Sequence, residues 1–533
     1  MIAMSGKPVD LLLNPGDQRR TLTDVLTSRG IFLNARCGQR GLCSGCQVEL
    51  IEGNLHDRSG QPAPAGVPLR SCRYFTEPSG RVVLRVDAQA RIGRAAAVSE
   101  TFATDVPFIL DPLPAVTPNR DTGFAIDLGT TTVVVLLADL GSGKILSRAS
   151  GFNAQIRFGD NVVTRIAAGG CRRTLDAMRG ALVCESLAPL LAEACEAAGR
   201  APSRLAGGTV AGNTTMLHLL AGEDPTSLGH APFTPRFLES RVLDGSALGL
   251  VDSPSVLPVH LLPGLSAYIG ADITAGIHAT GMCLDEQASL LVDLGTNGEI
   301  VLADGERIVG CATAAGPAFE GSGLSCGCRA IPGAISRIRL DGGVFSCNTL
   351  GAGRHSAGVC GSAYIDFLAL ARSIGLLKEN GRFDRERWQA WPEAQRATRD
   401  GGLAIAPAGA AGPVITEGDI AHLLQAKGAI GAGIESLLGA AGISAASIDR
   451  LYLAGGFGMQ VRVDHAVAID LLPGFRPEQV RVTGNSALAG CALALLDRSA
   501  LAAMDALRRR VEIIELNLQP GFEDRYLDHL ALP

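Results

Sequence analysis

Short apolar segments, separated by glycine, proline and polar residues, divide the beginning of the chain into small elements. Val9–Leu13, Gln47–Ile51 and Val82–Val86 have the length and composition of β-strands. Thr21–Ser28 is predicted as a short helix, with its first residue as the N-cap and Gly30 as the residue that ends it. The pattern therefore predicts a compact unit of strands and one helix over residues 1–90.

A longer pattern occurs twice in the rest of the chain. Phe124–Asp139 is predicted as a strand, a tight turn and a strand, and Leu290–Asp304 has the same outline. Because the two copies lie far apart, they indicate a duplicated domain and not a short-period repeat. Stretches rich in Ala and Leu predict helices between and after the copies, at residues 173–198, 214–221, 362–375 and 419–439.

The segment 91–120 differs in composition from its surroundings. It is rich in alanine, then carries Pro107, Pro112, Pro114 and Pro118, and the composition changes again at Gly123. We therefore expect a linker at 91–120, between a domain at 1–90 and a two-lobed domain at 121–533, with lobes at about 121–285 and 286–533.

Composition and charge narrow the classes of function. The 533 residues are 47% hydrophobic and 19% charged, with a formal net charge of −6, so we expect a globular protein that binds neither nucleic acid nor anionic membranes. No signal peptide is recognisable, and no apolar stretch approaches the roughly 18 residues of a membrane span. These features favour a cytoplasmic protein, in which the fourteen cysteines do not form a disulfide framework.

Four of the cysteines form a motif near the start of the chain. Its spacing is C-x5-C-x2-C on a glycine-rich loop, followed by a distant fourth cysteine: Cys37, Cys43, Cys46 and Cys72. Thiolates bind zinc and iron–sulfur clusters alike, but structural zinc sites usually have two matched cysteine pairs. The spacing resembles that of plant-type ferredoxins with one extra residue, so we predict a β-grasp ferredoxin-like domain with one [2Fe–2S] cluster, and zinc is the alternative.

The tight turns of the repeated pattern have the residues of phosphate-binding turns. Glycine lets a phosphate approach the backbone, the following amides and hydroxyls converge on the anion, and an aspartate that ends a strand can hold Mg²⁺ through water. A glycine-rich loop after the predicted strand Leu451–Leu453 would accommodate an adenosine. The predicted ATP-binding residues are Asp127, Gly129, Thr130, Thr131, Asp293, Gly295, Thr296, Asn297, Gly298, Gly455 and Gly456.

This order of motifs resembles the family of acetate and sugar kinases, heat-shock chaperones and actin. The resemblance implies an α/β, duplicated, two-lobed actin-like ATPase fold beside the α+β ferredoxin domain. It also implies that two small-residue helices, 269–276 and 484–490, cross between the lobes. We expect Asp127 and Asp293 to be catalytic. Glu320, on the Gly/Pro loop 316–321, is a candidate for positioning the attacking water, and a helix-terminal carboxylate is the equally weighted alternative.

The combination of both domains resembles the reductive activators of corrinoid-dependent methyltransferases. Further segments fit that family: 153–160, 210–216, 231–235, 312–321 and 358–362. The resemblance implies ATP-driven reduction of a corrinoid protein from Co(II) to Co(I), with a low-potential electron donor upstream; a homodimer is left open. Longer members have a separate middle domain, for which residues 91–120 are too few. The alternatives are a small-molecule kinase with a regulatory ferredoxin and a non-enzymatic electron carrier.

Overall fold

The computed structural model describes the chain apart from a set of short segments. These are residues 1–7, 18–19, 30, 34–38, 40, 42–45, 78–79, 87–89, 93–105, 160, 285–286, 296, 306, 322, 329, 331, 352–357, 397–402, 405–412 and 456–460. Four of the predicted site residues, namely Cys37, Cys43, Thr296 and Gly456, lie outside the described residues, as does the predicted helix end at Gly30.

The N-terminal unit is an antiparallel sheet with one helix packed on it. Its elements are β1 (Pro8–Leu13), α1 (Leu22–Ser28), β2 (Phe32–Leu33), β3 (Gln47–Glu52), β4 (Leu55–Asp57), β5 (Pro68–Arg70), β6 (Tyr74–Thr76), β7 (Gly80–Val86) and β8 (Arg91–Ile92). The main sheet has the order β1-β7-β3-β5. Thr21 caps α1 by accepting a hydrogen bond from the Asp24 amide, as predicted. The fully buried Leu22, Val25 and Leu26 attach the helix to the core.

The next part of the chain forms a six-stranded sheet. Its strands are β9 (Thr122–Leu128), β10 (Thr132–Asp139), β11 (Ile145–Phe152), β12 (Leu205–Gly212), β13 (Arg241–Asp244) and β14 (Pro258–Leu261). Its helices are α2 (Val162–Gly169), α3 (Arg172–Leu182), α4 (Ala188–Ala197), α5 (Thr214–Ala221), α6 (Gly245–Leu248) and α7 (Ala271–Thr280). The sheet has the order β11-β10-β9-β12-β14-β13. We call the part from β9 to α7 the first lobe.

The part from residue 287 onward, which we call the second lobe, contains a second six-stranded sheet and further strands outside it. Its strands are β15 (Ser289–Leu294), β16 (Gly298–Asp304), β17 (Arg307–Thr313), β18 (Ala334–Asp341), β19 (Val344–Thr349), β20 (Gly358–Val359), β21 (Leu403–Ala404), β22 (Val414–Ile415), β23 (Arg450–Ala454), β24 (Val480–Gly484) and β25 (Val511–Ile513). Its helices are α8 (Gly361–Ser373), α9 (Arg385–Ala390), α10 (Glu417–Ala441), α11 (Val463–Ala468), α12 (Ser486–Leu496), α13 (Arg498–Arg508) and α14 (Phe522–Asp528).

Five strands of the two large sheets have the same order, and the sixth strand, β13 or β25, lies at opposite edges. In the second lobe the order is β24-β23-β15-β16-β17-β25, so β15, β16 and β17 correspond to β9, β10 and β11. In both sheets the first strand pairs antiparallel with the second and parallel with a later strand, β12 or β23. The predicted duplication is therefore present in the fold, and it places Asp127 and Asp293 at equivalent positions near the ends of equivalent strands.

Helices α7 and α12 cross between the two sheets, as expected for the small-residue segments. On α7, Ala271, Ala275 and Ala279 belong to the hydrophobic core of the first lobe, whereas Ile273 and Ile277 belong to a core shared with the second sheet. A Cβ added at Gly490 of α12 would collide with the backbone of Ala275. The small residues thus allow a backbone-to-backbone contact at the boundary between the lobes.

The described end of the predicted linker is attached to the C-terminal part of the chain. The backbone amides of Asp111 and Leu113 donate to the carbonyls of Leu496 and Leu495, at 2.9 and 3.0 Å. Arg498 pairs with the Asp111 carboxylate at 3.1 Å. Residues 111–113, at the end of the predicted linker, are thus attached to the C-terminal part of the chain. Across the part of the chain that is described, no helix combines the length and hydropathy of a membrane span.

Candidate functional site

The first phosphate turn is held in place by three polar side chains. Asn153 donates to the Gly129 carbonyl at 2.9 Å, Arg165 to the Thr130 carbonyl at 2.6 Å, and Asn213 to the Thr130 hydroxyl at 2.8 Å. Arg165 is fully buried, and Thr130 and Thr131 are each 7% exposed. The Gly129 amide donates to the Thr132 carbonyl at 2.9 Å. The turn therefore has a fixed shape before any ligand binds.

The second turn has the same position in its own sheet. The Gly295 amide donates to the Asn297 carbonyl at 3.0 Å, and Gly298 begins β16. Gly455, after β23, has φ +98°, and an added Cβ would lie 2.8 Å from the Asp293 Oδ1 atom. Glycine is therefore required at residue 455 both for its backbone conformation and for the close approach of the strand end to Asp293.

Five carboxylates lie close to one another near the two turns, and the charges of four of them, Asp127, Asp272, Asp293 and Glu320, act on others. Burial, followed by the charges of Asp272, Asp127 and Glu320, raises the pKa of Asp293 to about 7. Burial and the charge of Asp127 raise the pKa of Asp272 to about 7. Burial and the charges of Asp272 and Asp293 raise the pKa of Glu299 well above its usual value. The charge of Glu320 acts on Asp293, so this predicted residue belongs to the same cluster.

Asp127 has a hydrogen-bond partner from the other lobe. Burial raises its pKa to about 6, opposed by a hydrogen bond from Asn485, whose Nδ2 atom lies 2.7 Å from the Asp127 Oδ2 atom. Asn485 also caps α12 by accepting the Leu488 amide at 2.8 Å. One amide side chain thus links the start of the crossing helix to the end of β9.

Sequence reasoning did not select Asp272, Glu299 or Asn485 as site residues. Asp272 lies in the first turn of α7, within the small-residue segment that we considered only for its packing. Glu299 directly follows the second phosphate turn and is 8% exposed. Asp272 and Glu299 each lie in an otherwise apolar or small-residue stretch of the sequence. A carboxylate in such a stretch indicates a charge that either has a partner or serves a function.

The cleft between the turns can bind a phosphate chain together with a cation. Backbone amides and the Thr130 and Thr131 hydroxyls provide donors to an anion, whereas the neighbouring carboxylates carry an unfavourable negative charge until a cation neutralises it. In the described part of the chain, no group of three or more His, Cys, Asp or Glu side chains is arranged to hold a metal ion directly.

Two of the four predicted cluster ligands lie side by side in the N-terminal unit. Cys46 and Cys72 are both buried, and a hydrogen bond between their thiols is the main reason that the pKa of Cys46 falls to about 6. The Ser71 hydroxyl donates to the Cys46 carbonyl at 2.8 Å and is paired with the Thr23 hydroxyl of α1 at 2.7 Å. Two adjacent buried thiols, one of them with a lowered pKa, fit the ligand set of an iron–sulfur cluster or zinc. The other two cysteines lie outside the described residues.

Comparison with known proteins identifies the family. Residues 287–533 match the model described as the C-terminal domain of RACo, the ASKHA domain, and residues 122–285 match the RACo middle region. The corrinoid activation enzyme RamQ of Eubacterium limosum is 33% identical over 415 residues, which cover 76% of this chain and 69% of that protein. The [Co(II) methylated amine-specific corrinoid protein] reductase of Methanosarcina barkeri is 28% identical over 292 residues, half of each protein.

A solved structure agrees over nearly the whole chain. It is that of a reductive activator for corrinoid,iron-sulfur protein, with a TM-score of 0.73, 28% identity and coverage of 98% of both chains. The expected actin-like ATPase fold is thus confirmed. The middle-region model falls on residues 122–285, the first lobe, and so outside the segment 91–120, which is too short for a separate middle domain. The chain belongs to the family of reductive activators of corrinoid proteins.

Proposed function

We propose that this protein is an ATP-dependent reductive activator, which reduces the cobalt of a corrinoid protein from Co(II) to Co(I). The observation that carries the proposal is the pairing of Asp127 and Asp293. They lie near equivalent strand ends of two sheets that share the order of five strands, in one carboxylate-rich cleft, in a chain of this family.

The nucleotide site has a defined division of roles. The amides of Gly129 to Thr131 and of the second turn bind the phosphates, and Gly455 gives room for the nucleoside beside the strand end. Asp127 and Asp293 would hold Mg²⁺, an ion that binds through one or two carboxylates when phosphates supply part of its coordination. Asp272 lies close enough to both to orient the attacking water, a role that Glu320 can share.

The N-terminal unit, residues 1–90, is a ferredoxin-like β-grasp domain in this proposal. Cys37, Cys43, Cys46 and Cys72 hold a [2Fe–2S] cluster, and the adjacency of the buried Cys46 and Cys72 supports this assignment. When bound, a plant-type cluster supplies one electron at roughly −400 mV. Ser71 and Thr23 fix the Cys46 backbone beneath the thiols.

ATP acts on the protein complex and not on the cobalt, because no phosphate is transferred to the metal. The lobes meet at the close contact of α7 with α12, and the nucleotide contacts both lobes through Asp127 and Asp293. A ligand that binds the closed arrangement more tightly shifts the lobes toward it. Closure would remodel the docked corrinoid protein and make its cobalt easier to reduce. The protein works in the cytoplasm and receives its electron from a separate low-potential donor.

The test is a Co(I) assay with the full-length protein. A Co(II) corrinoid protein, Mg-ATP and a reductant that alone leaves the cobalt as Co(II) are combined, and the Co(I) absorption band is followed. We expect Co(I) only when ATP is present. Asp127→Ala and Asp293→Ala should each abolish ATP hydrolysis and Co(I) formation, while the visible spectrum of the N-terminal unit is unchanged.

The outcomes separate this function from its alternatives. Equal Co(I) formation with and without ATP would mean that ATP does not drive the electron, as for a passive carrier. Transfer of the ATP γ-phosphate to a small-molecule acceptor would identify a kinase instead.

A further inference from the structure

The segment 153–158, which follows β11, has one side directed toward the nucleotide site. Asn153 donates to the Gly129 carbonyl of the first phosphate turn at 2.9 Å. Gln155 is fully buried and accepts from Arg165 at 3.2 Å, and Arg165 also donates to the Thr130 carbonyl at 2.6 Å. A change in the shape of the turn would therefore be transmitted to this segment through three hydrogen bonds.

The other side of the segment lies at the surface and carries a charge pair. Arg157 makes two hydrogen bonds to the Glu185 carboxylate, at 2.6 and 2.7 Å. Glu185 lies in a π-helical turn, Val183–Leu187, between α3 and α4. Within that turn, the Ser186 hydroxyl accepts the Ala154 amide at 2.8 Å. Such π-turns cost stability and are often found at functional sites.

The Arg157–Glu185 pair faces the N-terminal unit across a cleft of about 690 Å³. On the first lobe, the cleft is lined by the pair together with Phe158, Ala168 and Thr174. On the N-terminal unit, it is lined by Arg20, Asp24, Thr27, Ser28 and Gln39. Each wall thus carries one cation and one anion, so the two walls can pair with each other when the cleft narrows.

The wall on the N-terminal unit is connected to the cysteine loop. Gln39 lies between Cys37 and Cys43 in the sequence and has φ +61°, which is uncommon for a residue other than glycine. It donates to the Asp24 carboxylate at 2.7 Å and is hydrogen-bonded to the Thr21 hydroxyl at 2.8 Å. The helix α1 therefore fixes one position of the loop on which the cysteines lie.

We propose that Arg157, Phe158 and Glu185 form the surface of the first lobe on which the N-terminal unit docks. Nucleotide bound at the first phosphate turn controls this docking. The inference rests on the proposed nucleotide site. It assigns the occupant of the cleft to this chain itself, because both walls belong to it and carry complementary charges. The segment 153–158 then connects the nucleotide phosphates with the cysteine loop. Arg157 positions the N-terminal unit against the first lobe.

The test is hydrogen–deuterium exchange on the full-length protein, with and without Mg²⁺ and a non-hydrolysable ATP analogue. In the wild type, we expect the analogue to change exchange at the phosphate turn, at 153–158 and in α1. In Arg157→Glu, which places a second carboxylate beside Glu185, the response of the phosphate turn should persist. The response of α1 should fall by about two- to fivefold, the effect expected from losing one surface charge pair.

Two further variants give the experiment its controls. Arg20→Glu, on the opposite wall, should reduce the α1 response in the same way as Arg157→Glu. Arg172→Glu is the matched control, because Arg172 is 73% exposed, pairs with Asp176 within its own helix and does not line the cleft. It should respond as the wild type does.

Each contrary result has a defined meaning. No change at α1 while the phosphate turn responds would overturn this inference alone. No change at the phosphate turn would overturn the proposed nucleotide site as well. If the corrinoid protein, and not the nucleotide, protects both walls, the cleft is the docking site of that partner and the assignment is wrong. An equal effect of Arg172→Glu and Arg157→Glu would mean that surface charge alone is responsible.

Discussion

Asp293→Asn should stabilise the nucleotide-free protein while abolishing its ATP hydrolysis. Burial and the charges of Asp272, Asp127 and Glu320 raise the pKa of Asp293 from its usual 3.8 to about 7. In the unfolded chain the carboxyl loses its proton near pH 4, whereas in the folded protein it keeps the proton up to about pH 7. Its contribution to stability is therefore complete below pH 4 and is lost as the pH rises through 7.

The size of the effect follows from the difference between the two pKa values. A rise from 3.8 to about 7 corresponds to at most about 4 kcal/mol of lost stability above pH 7. The side chain is partly accessible from the cleft, so water reduces the effect, and we expect about 1–2 kcal/mol. An amide of the same shape cannot ionise. The variant should therefore unfold at a temperature higher by about 1–4 °C at pH 8, and the difference should shrink toward pH 5.

Calorimetry of the nucleotide-free protein with a chelator at pH 5 and pH 8 measures this difference. Asp304→Asn is the matched control, because Asp304 is exposed and ends the neighbouring strand β16 on the side away from the cleft. The unfolding temperature of this variant should equal that of the wild type. Saturating Mg-ATP should reverse the ranking, since only the wild type binds the cation well. A variant that is less stable than the wild type at pH 8, or a difference independent of pH, would refute the reasoning.

Two further predictions concern the cysteines and the crossing helices. Anaerobically purified wild type should contain about two irons per chain and absorb visible light. Cys46→Ser and Cys72→Ser should each lose this absorbance, whereas Cys326→Ser, in the second lobe, should keep it; zinc without visible absorbance would contradict the cluster. Gly490→Leu should lower the free energy of unfolding by about 1–3 kcal/mol, because the new leucine side chain would meet the α7 backbone. Unfolding in urea measures this loss. Gly180→Leu is the control, since an added Cβ there meets no atom within 4 Å.

Local patterns were sufficient to predict the elements that carry the phosphate turns. The apolar segment Phe124–Leu128 becomes β9, with Asp127 as the polar residue near its end, and Leu290–Leu294 does the same in β15. A strand buried on both faces requires an almost continuous apolar run, so a polar residue near its end stands out. The repeat of this feature at two places made the pairing of Asp127 with Asp293 predictable.

The remaining site residues depend on contacts that local patterns do not contain. Asp272 reaches the cleft because α7 crosses between the sheets, and Asn485 reaches Asp127 because α12 packs in the core of the other lobe. Both arrangements join residues that are far apart in sequence. The attachment of Asp111 to the C-terminal helices is of the same kind, and proline content indicated only a linker there.

The carboxylates supply a physical reason for coupling between nucleotide and lobe movement. Asp127 belongs to the first sheet and Asp293 to the second, so their repulsion acts across the boundary between the lobes and opposes closure without ligand. ATP alone adds negative charge and cannot relieve it, whereas Mg²⁺ bound together with the nucleotide would. A ligand shifts an equilibrium only by its difference in affinity for the two states. The free energy for closure should therefore depend on the cation and the nucleotide together.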